Sequence, residues 1–393
     1  YEERSGKVEI IEFSFKCKVK SRILFLVFIS TFVLSFCQEQ TLIKNVTLFD
    51  GEKVIVNTSV LLEGRLIKAI GNLLETSGGL EIDGQGKTLM PALSNAHVHA
   101  WNPESLKEAA NAGVINIMDM HGVERFQSMM KQLNDSTNYA NYYIAGAAAT
   151  VPGGHGTQYG FPTPTLSTPE EAPKFVADRV NAQVDYVKII VEPWKKTLDA
   201  QTVKALINEV HRFDKIAVVH VSRLEDAMMV LENEADALVH IWRDKKISSS
   251  QLDILKSKNF FVIPTTLTTL KALKSLNKST DKYLPFNLVL TEIKTLHDAG
   301  IPILAGTDPP NLGINYGNDL YQELILLSEA GLSNIEVLKT APSNVAKGFK
   351  LENKGYVKPG YIADLILLDK SPLENIQNIS SISQIWKAGK TIK

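Results

Sequence analysis

Six side chains with the chemistry of metal ligands stand at the ends of apolar, β-like runs. His97 and His99 occur in NAHVH, at residues 95–99. In a strand, residues i and i+2 point to the same side, so the pair can grip one cation together. Alone the pair says little, because two of eight histidines can meet by chance. Lys188 lies inside the apolar run VDYVKIIVEP. A lone ammonium is costly to bury there. Reaction with CO2 would relieve that cost and give a carbamate able to bridge two metals. His220 ends IAVVH, His240 ends ADALVH, and Asp308 follows ILAGT. Each has an ordinary reading: a satisfied strand-end histidine, a lysine snorkelling to the surface, an aspartate capping the next helix. Together, in order and on successive strand ends, they point to one shared metal site.

The elements that must position them alternate between β-like and helix-like. Over residues 93–344 the strands are expected to end near His99, Asp119, Thr150, Ile190, Val221, His240, Thr265 and Thr307. Helices are expected at 103–112, 122–133, 169–181, 198–212, 223–233, 248–257, 288–299 and 318–330. That alternation predicts a parallel α/β fold. Eight strands in about 250 residues fit a (β/α)8 TIM barrel, which carries its chemistry at the C-terminal strand ends. The separations among the candidate ligands are close to whole βα units. Residues 41–92 instead alternate short β-like runs with Asp50-Gly51, Gly64-Arg65, Gly78-Gly79 and Gly84. These are hairpin signals, and 356–368 and 382–392 read the same way. The expectation is a small β-sandwich composite domain built from both termini. The domains are then an export segment at 1–37, the sandwich at 38–92 and 345–393, and the barrel at 93–344.

The chain has 393 residues, a net charge of -1, 44% hydrophobic and 22% charged residues, an ordinary globular composition. Near-neutral charge argues against a nucleic-acid partner. The only cysteines are Cys17 and Cys37, which excludes a disulfide framework, a thiolate zinc site and a cysteine nucleophile in the folded body. Any metal must be held by nitrogen and oxygen. Residues 23–36 (ILFLVFISTFVLSF) follow Lys16, Lys18, Lys20 and Arg22, a signal-peptide pattern too short for a comfortable membrane span. Export is expected, to the periplasm, the exterior or a membrane anchor. Leu34-Ser35-Phe36-Cys37 resembles a bacterial lipoprotein cleavage site with Cys37 lipidated, although Phe36 departs from the small residue usual there. No methionine precedes Met90, so residues 1–18 are read as upstream sequence, with a native start near Val19.

At these motifs the sequence resembles the amidohydrolase superfamily, in its imidazolonepropionase-like and prolidase-like branch. The resemblance runs from about residue 41 to the end. LMPALSNAHVHA resembles the first-strand signature, DYVKII the carboxylated-lysine strand, and VVH, ALVH and AGTD strands five, six and eight. GGHGT at 153–157 resembles the glycine-rich loop after strand three. TAPSNVAKGFKL and GYVKPGYIADLILLDKSPL resemble the return into the composite domain. The resemblance implies two divalent metals. His97 and His99 would hold the first with Asp308 beneath it, and His220 and His240 the second. Carboxylated Lys188 and a water or hydroxide would bridge them. Two cations make hydroxide at neutral pH and polarise a carbonyl, and Asp308 is placed to shuttle the proton. Zinc is favoured, with manganese or cobalt as substitutes.

The reaction this implies is hydrolysis of an amide or peptide bond in a dipeptide, an Xaa-Pro-type substrate or an N-acyl amino acid. The same centre would also serve a lactone or cyclic amide. A non-catalytic surface binding protein on a decayed barrel is a further alternative, disfavoured by the complete ligand set; a one-metal deaminase lacks its acid in HVSR. His155, His121, Tyr159 and Arg243 are the candidate substrate contacts, with Trp194 and Trp242 as further wall residues. Dipeptidase-like relatives commonly carry a tyrosine or histidine directly after the strand-five ligand, where this chain has Val221. A homo-oligomer is expected.

Overall fold

The structure is a computed structural model that describes residues 39–275 and 283–392. The expectations about the export segment, Cys17 and Cys37 lie outside the described residues. Strands β1 (Gln40–Phe49), β2 (Val54–Glu63) and β3 (Leu66–Gly71) form the two antiparallel hairpins expected around Asp50-Gly51 and Gly64-Arg65. Strands β4 (Leu80–Asp83) and β5 (Thr88–Pro91) instead pair parallel with β1, so Gly78-Gly79 and Gly84 mark connections and not hairpins. Asp50 makes the first turn, its Oδ1 accepting the backbone N–H of Glu52 and Lys53 at 2.8 and 2.9 Å. This is the local Asx bond that suits aspartate to turns.

Next come the parallel strands: β6 (Leu93–Val98), β7 (Val114–Asp119), β8 (Asn141–Ile144), β9 (Val187–Ile190), β10 (Ala217–His220), β11 (Ala237–Val239) and β12 (Phe261–Ile263). They form two sheets, in the orders β6-β7-β8 and β12-β11-β10-β9. Backbone bonds link the two. Ala149 N–H donates to the Lys188 carbonyl at 2.8 Å, extending the run of β8 to β9. On the other side, residues 302–308 bridge β12 and β6. Leu304 N–H donates to Val262 O at 2.9 Å, Ala96 N–H to Ala305 O at 2.9 Å and Asp308 N–H to His97 O at 2.8 Å. The result is an α/β fold of the TIM-barrel type. Its strands are apolar on both faces, as parallel strands covered by helices must be; every residue of β6, β7, β9 and β10 is buried.

Helices α1 (Pro103–Asn111), α2 (Glu124–Lys131), α3 (Ala172–Asn181), α4 (Ala200–Arg212), α5 (Leu224–Glu232) and α6 (Ser249–Lys256) cover the strands. Their starts are written locally. Asn102 and Asp199 cap α1 and α4 through their side chains, and Ser248 forms a capping box with Gln251 on α6. Helix α7 (Thr266–Ser275) is a departure, because no helix was expected between 257 and 288. Glu323 explains it: its carboxylate accepts the N–H of Thr266 and Leu267 at 2.9 and 2.7 Å. A distant side chain thus caps a helix that threonine-rich local sequence does not announce. Helices α8 (Tyr283–Asp298) and α9 (Asp319–Glu329) were expected; α10 (Asn334–Thr340) and α11 (Ser343–Gly348) were not.

The chain returns as β13 (Leu365–Leu368), β14 (Ile382–Lys387) and β15 (Lys390–Thr391). Only the last four residues of 356–368 form a strand. Gly360, at φ +86, turns the chain just before it. Strand β13 pairs antiparallel with β5, so the strands expected to form a sandwich belong to one eight-stranded sheet with members from both ends. Ile43, Val60, Leu89, Leu365 and Trp386 meet in its core. At the end of β14, buried Lys387 donates to the carbonyls of Asn134, Ser136 and Tyr139 at 2.8, 2.8 and 2.6 Å. It ties this sheet to the segment between α2 and β8. Lys387→Ala would leave three partly buried carbonyls without their donor, a loss of about 2–4 kcal/mol. Urea denaturation should show it as a lower midpoint; an unchanged midpoint would contradict the tie.

Candidate metal centre

All six proposed ligands line one cavity of about 520 Å³ at the C-terminal ends of the strands. Strand β6 delivers His97 and, one residue past its end, His99. Asp308 arrives on the neighbouring run 302–308. The Nε2 atoms of the two histidines are 3.3 Å apart, and they lie 3.3 and 3.1 Å from Asp308 Oδ1. These three distances form a nearly equilateral triangle. Donor atoms bonded to one zinc at about 2.0–2.2 Å stand about 3–3.5 Å apart, so the triangle has the dimensions of one face of a coordination shell. Protons alone satisfy it poorly: two Nε2–H groups aimed at one oxygen would also face each other. The Nδ1 atoms of His97 and His99 have no hydrogen-bond partner among the described residues, so no hydrogen bond there fixes either tautomer. His240 also approaches, and His97, His240 and Asp308 each offer a ligand atom within 4.8 Å of the others.

Burial pulls the His97 imidazole down to about 3, and pulls His220 and His240 well below the usual histidine range. These three rings are neutral and hold lone pairs for a cation. Burial pushes the Asp308 carboxyl upward, but the hydrogen-bonding imidazoles of His97 and His99 beside it outweigh that and hold it well below the usual carboxylate range. Lys188 is buried on β9, and desolvation lowers its amine to about 7 against the pull of Asp308. The rings of His220 and His240 are 4.4 Å apart, and those of His97 and His240 5.2 Å. Neutral nitrogens, a carboxylate and an amine that need not carry charge make a donor set fitted to divalent metals.

The backbone is bent to deliver these groups. His240, Thr265 and Asp308 have φ of 63, 46 and 61°, a left-handed conformation costing non-glycine residues about 1–2 kcal/mol each. Such strain persists where surroundings hold it, and it clusters at functional sites. Gly306 lets the last parallel run lie close to its neighbours, since a Cβ there would come within 2.6 Å of the Ile263 side chain and 3.0 Å of the His97 backbone nitrogen. Asp119, buried at the end of β7, accepts from Ala100 N–H, His121 N–H and the Tyr142 hydroxyl at 2.9, 2.9 and 2.5 Å. It fixes the chain just beyond His99.

The expected substrate contacts also line the cavity. The His155 ring lies between Trp194 and His220, with centroids 5.4 and 5.0 Å away. Tyr159 packs near His99 and Trp101 at 5.9 and 5.4 Å, and burial raises its hydroxyl to about 12. Arg243 stands exposed at the rim. His121 has both ring nitrogens engaged: Nδ1 accepts from Ala148 N–H at 2.9 Å, and Nε2 donates to Gly156 O at 3.0 Å. It therefore presents a ring face, and its bonds anchor the glycine-rich loop. Trp242 is fully buried with its indole N–H on Glu292 at 2.8 Å, and it does not line the cavity. Sequence reading missed Glu192, which enters the cavity two residues past β9. A carboxylate closing the apolar run VKIIV was its only signal. Adding zinc to chelator-treated protein should raise its melting temperature, by the equivalent of about 4 kcal/mol at 1,000 times Kd. An unmoved melting curve would contradict the cation reading.

Comparison with known proteins places this architecture. The amidohydrolase family profile matches residues 88–392. An ochratoxinase of Aspergillus niger is 23% identical over 331 residues, covering 73% of this chain and 67% of that protein. A Xaa-Pro dipeptidase crystallised with bound methionine superposes with a TM-score of 0.78 at 18% identity, over 90% of this chain and 100% of that one. A putative prolidase from Bifidobacterium longum superposes at 0.76 with 22% identity, over 91% and 95%. With a match across most of its length, the chain belongs to the amidohydrolase family, and it is a hydrolase acting on carbon–nitrogen bonds.

Proposed function

We propose that this hydrolase cleaves the amide or peptide bond of a small substrate, a dipeptide, an Xaa-Pro-type compound or an N-acyl amino acid, at a centre of two divalent ions, with zinc favoured. The observation that carries the reading is the meeting of His97, His99, Lys188, His220, His240 and Asp308 on one cavity. His97, His99 and Asp308 would hold one ion, and His220 and His240 the other. Lys188 is suited to bridge them as a carbamate, because an amine held near 7 is partly neutral at physiological pH and can react with CO2. When bound, such ions activate water and polarise a scissile carbonyl.

The chain's own residues supply the rest. Ionised Asp308 accepts the proton of the attacking water and passes it to the leaving nitrogen. Tyr159 keeps its proton across the working range and so remains a hydrogen-bond donor over the cavity. Arg243 offers a guanidinium at the rim for a substrate carboxylate. Tyr159 and Trp194 offer aromatic surface in the cavity for an apolar side chain. The similarity to a Xaa-Pro dipeptidase and an ochratoxinase supports a small amide-type substrate. We read the parallel strands and the run 302–308 as a closed (β/α)8 barrel, and the terminal sheet as its composite domain. The apolar run 23–36 supports export.

The test is a hydrolysis screen over dipeptides and N-acyl amino acids with zinc and bicarbonate present. Turnover of at least one class is expected. Lys188→Ala should lower kcat/KM at least about 100-fold, equivalent to about 2.7 kcal/mol, and weaken metal uptake. Near-normal turnover in that variant would refute the bridging role.

A further inference from the structure

Glu192 sits among the metal-binding candidates without being one of them. Its place is fixed by the end of β9. Val191 N–H donates to the His220 carbonyl at 3.0 Å, and Glu192 N–H donates to Thr197 Oγ1 at 3.0 Å. The side chain is 4% exposed, and a carboxylate so deeply buried needs firm partners. Two side chains meet it. Ser222 Oγ donates to Oε1 at 2.7 Å, and His220 Nε2 lies 2.9 Å from Oε2.

The second contact decides which nitrogen of His220 is free. An ionised carboxylate only accepts hydrogen bonds. The contact therefore places a proton on Nε2, and in a neutral imidazole that leaves the lone pair on Nδ1. No other group among the described residues bonds to Nδ1 of His220. His240 is set the opposite way. Thr265 Oγ1 donates its own hydrogen to Pro264 O at 2.8 Å. It must then accept from His240 Nδ1–H, 2.5 Å away, which leaves the lone pair of His240 on Nε2. Two adjacent histidines, their rings 4.4 Å apart, are locked in opposite tautomers by two different acceptors.

We propose that Glu192 is a positioning residue of the metal centre, holding His220 as the Nε2–H tautomer so that Nδ1 is the nitrogen it presents to a cation. The inference rests on the binuclear reading above. A carboxylate behind a ligating imidazole fixes the ring's orientation and raises its basicity, and losing such a partner typically costs 10–100-fold in metal affinity. Anchored by Ser222, Glu192 can serve His220 without itself competing for the ion.

Glu192→Gln tests this with little change in shape. Its amide oxygen can still accept from Ser222, which turns its NH2 towards His220. A donor there forces the imidazole proton onto Nδ1 and blocks the nitrogen offered to the ion. Two measurements are made on the full chain. Nitrogen-15 NMR of the metal-free protein should show His220 as the Nε2–H tautomer, switched to Nδ1–H in E192Q. Zinc titration against a competing chelator should show one of two binding steps weakened 10–100-fold in E192Q, while the melting temperature of the metal-free variant stays near wild type. Ser222→Ala, which frees Glu192 without removing it, should shift the same step by a smaller factor. An unswitched tautomer, or zinc steps within about twofold of wild type, far short of 10–100-fold, would overturn the role. Failure of the wild-type chain itself to bind zinc would overturn the binuclear reading instead, and the metal-free tautomer readout keeps the two failures apart.

Discussion

The structure depends on one electrostatic constraint: a carboxylate and three imidazoles are buried beside a fourth, half-buried one, with fewer protons and partners than they need. Asp308 faces Nε2 of both His97 and His99 across about 3 Å. Burial strips His97, His220 and His240 of positive charge. A buried negative charge among neutral lone pairs is costly unless a cation completes the group. Lys188, buried beside them, is itself pushed by desolvation towards neutrality. The cavity thus concentrates acceptors, which is what a divalent ion requires.

Much of the surrounding fold follows from holding that cluster in register. Three non-glycine residues at successive strand ends, His240, Thr265 and Asp308, are kept left-handed. Gly306 opens the space that lets the run carrying Asp308 approach His97. Asp119 fixes the turn after His99 through three hydrogen bonds. Glu323 starts α7 next to Thr265, and Thr265 in turn sets the tautomer of His240. These contacts hold the candidate ligands from strand ends and the layer beneath the cavity, as a preorganised site needs.

The six candidate ligands were legible in the sequence because each lies within or at the end of an apolar β-like run, and a polar group in that position has few reasons to be there. The N-terminal hairpins were legible because Asp50-Gly51 and Gly64-Arg65 interrupt clear alternation. Other features were hidden because their causes are distant. Helix α7 begins where Glu323, 57 residues away in sequence, caps it. Trp242 looked like a wall residue, but Glu292 draws its indole into the core. His121 looked free to touch substrate, yet backbone groups of Ala148 and Gly156 occupy both its nitrogens. Glu192 drew no reading from the sequence, because its partners His220 and Ser222 lie 28 and 30 residues away. Local pattern reveals where a polar side chain is unusual, whereas partners drawn from other strands decide its use.

The central claim is that a pair of cations completes this cavity. The most direct measurement is anomalous diffraction at the zinc edge from crystals of the zinc-loaded protein. Two peaks about 3.5–4 Å apart are predicted, one against His97, His99 and Asp308 and the other against His220 and His240, with density joining them at the Lys188 side chain. A cavity without anomalous signal, with zinc found only at surface positions, would contradict the account.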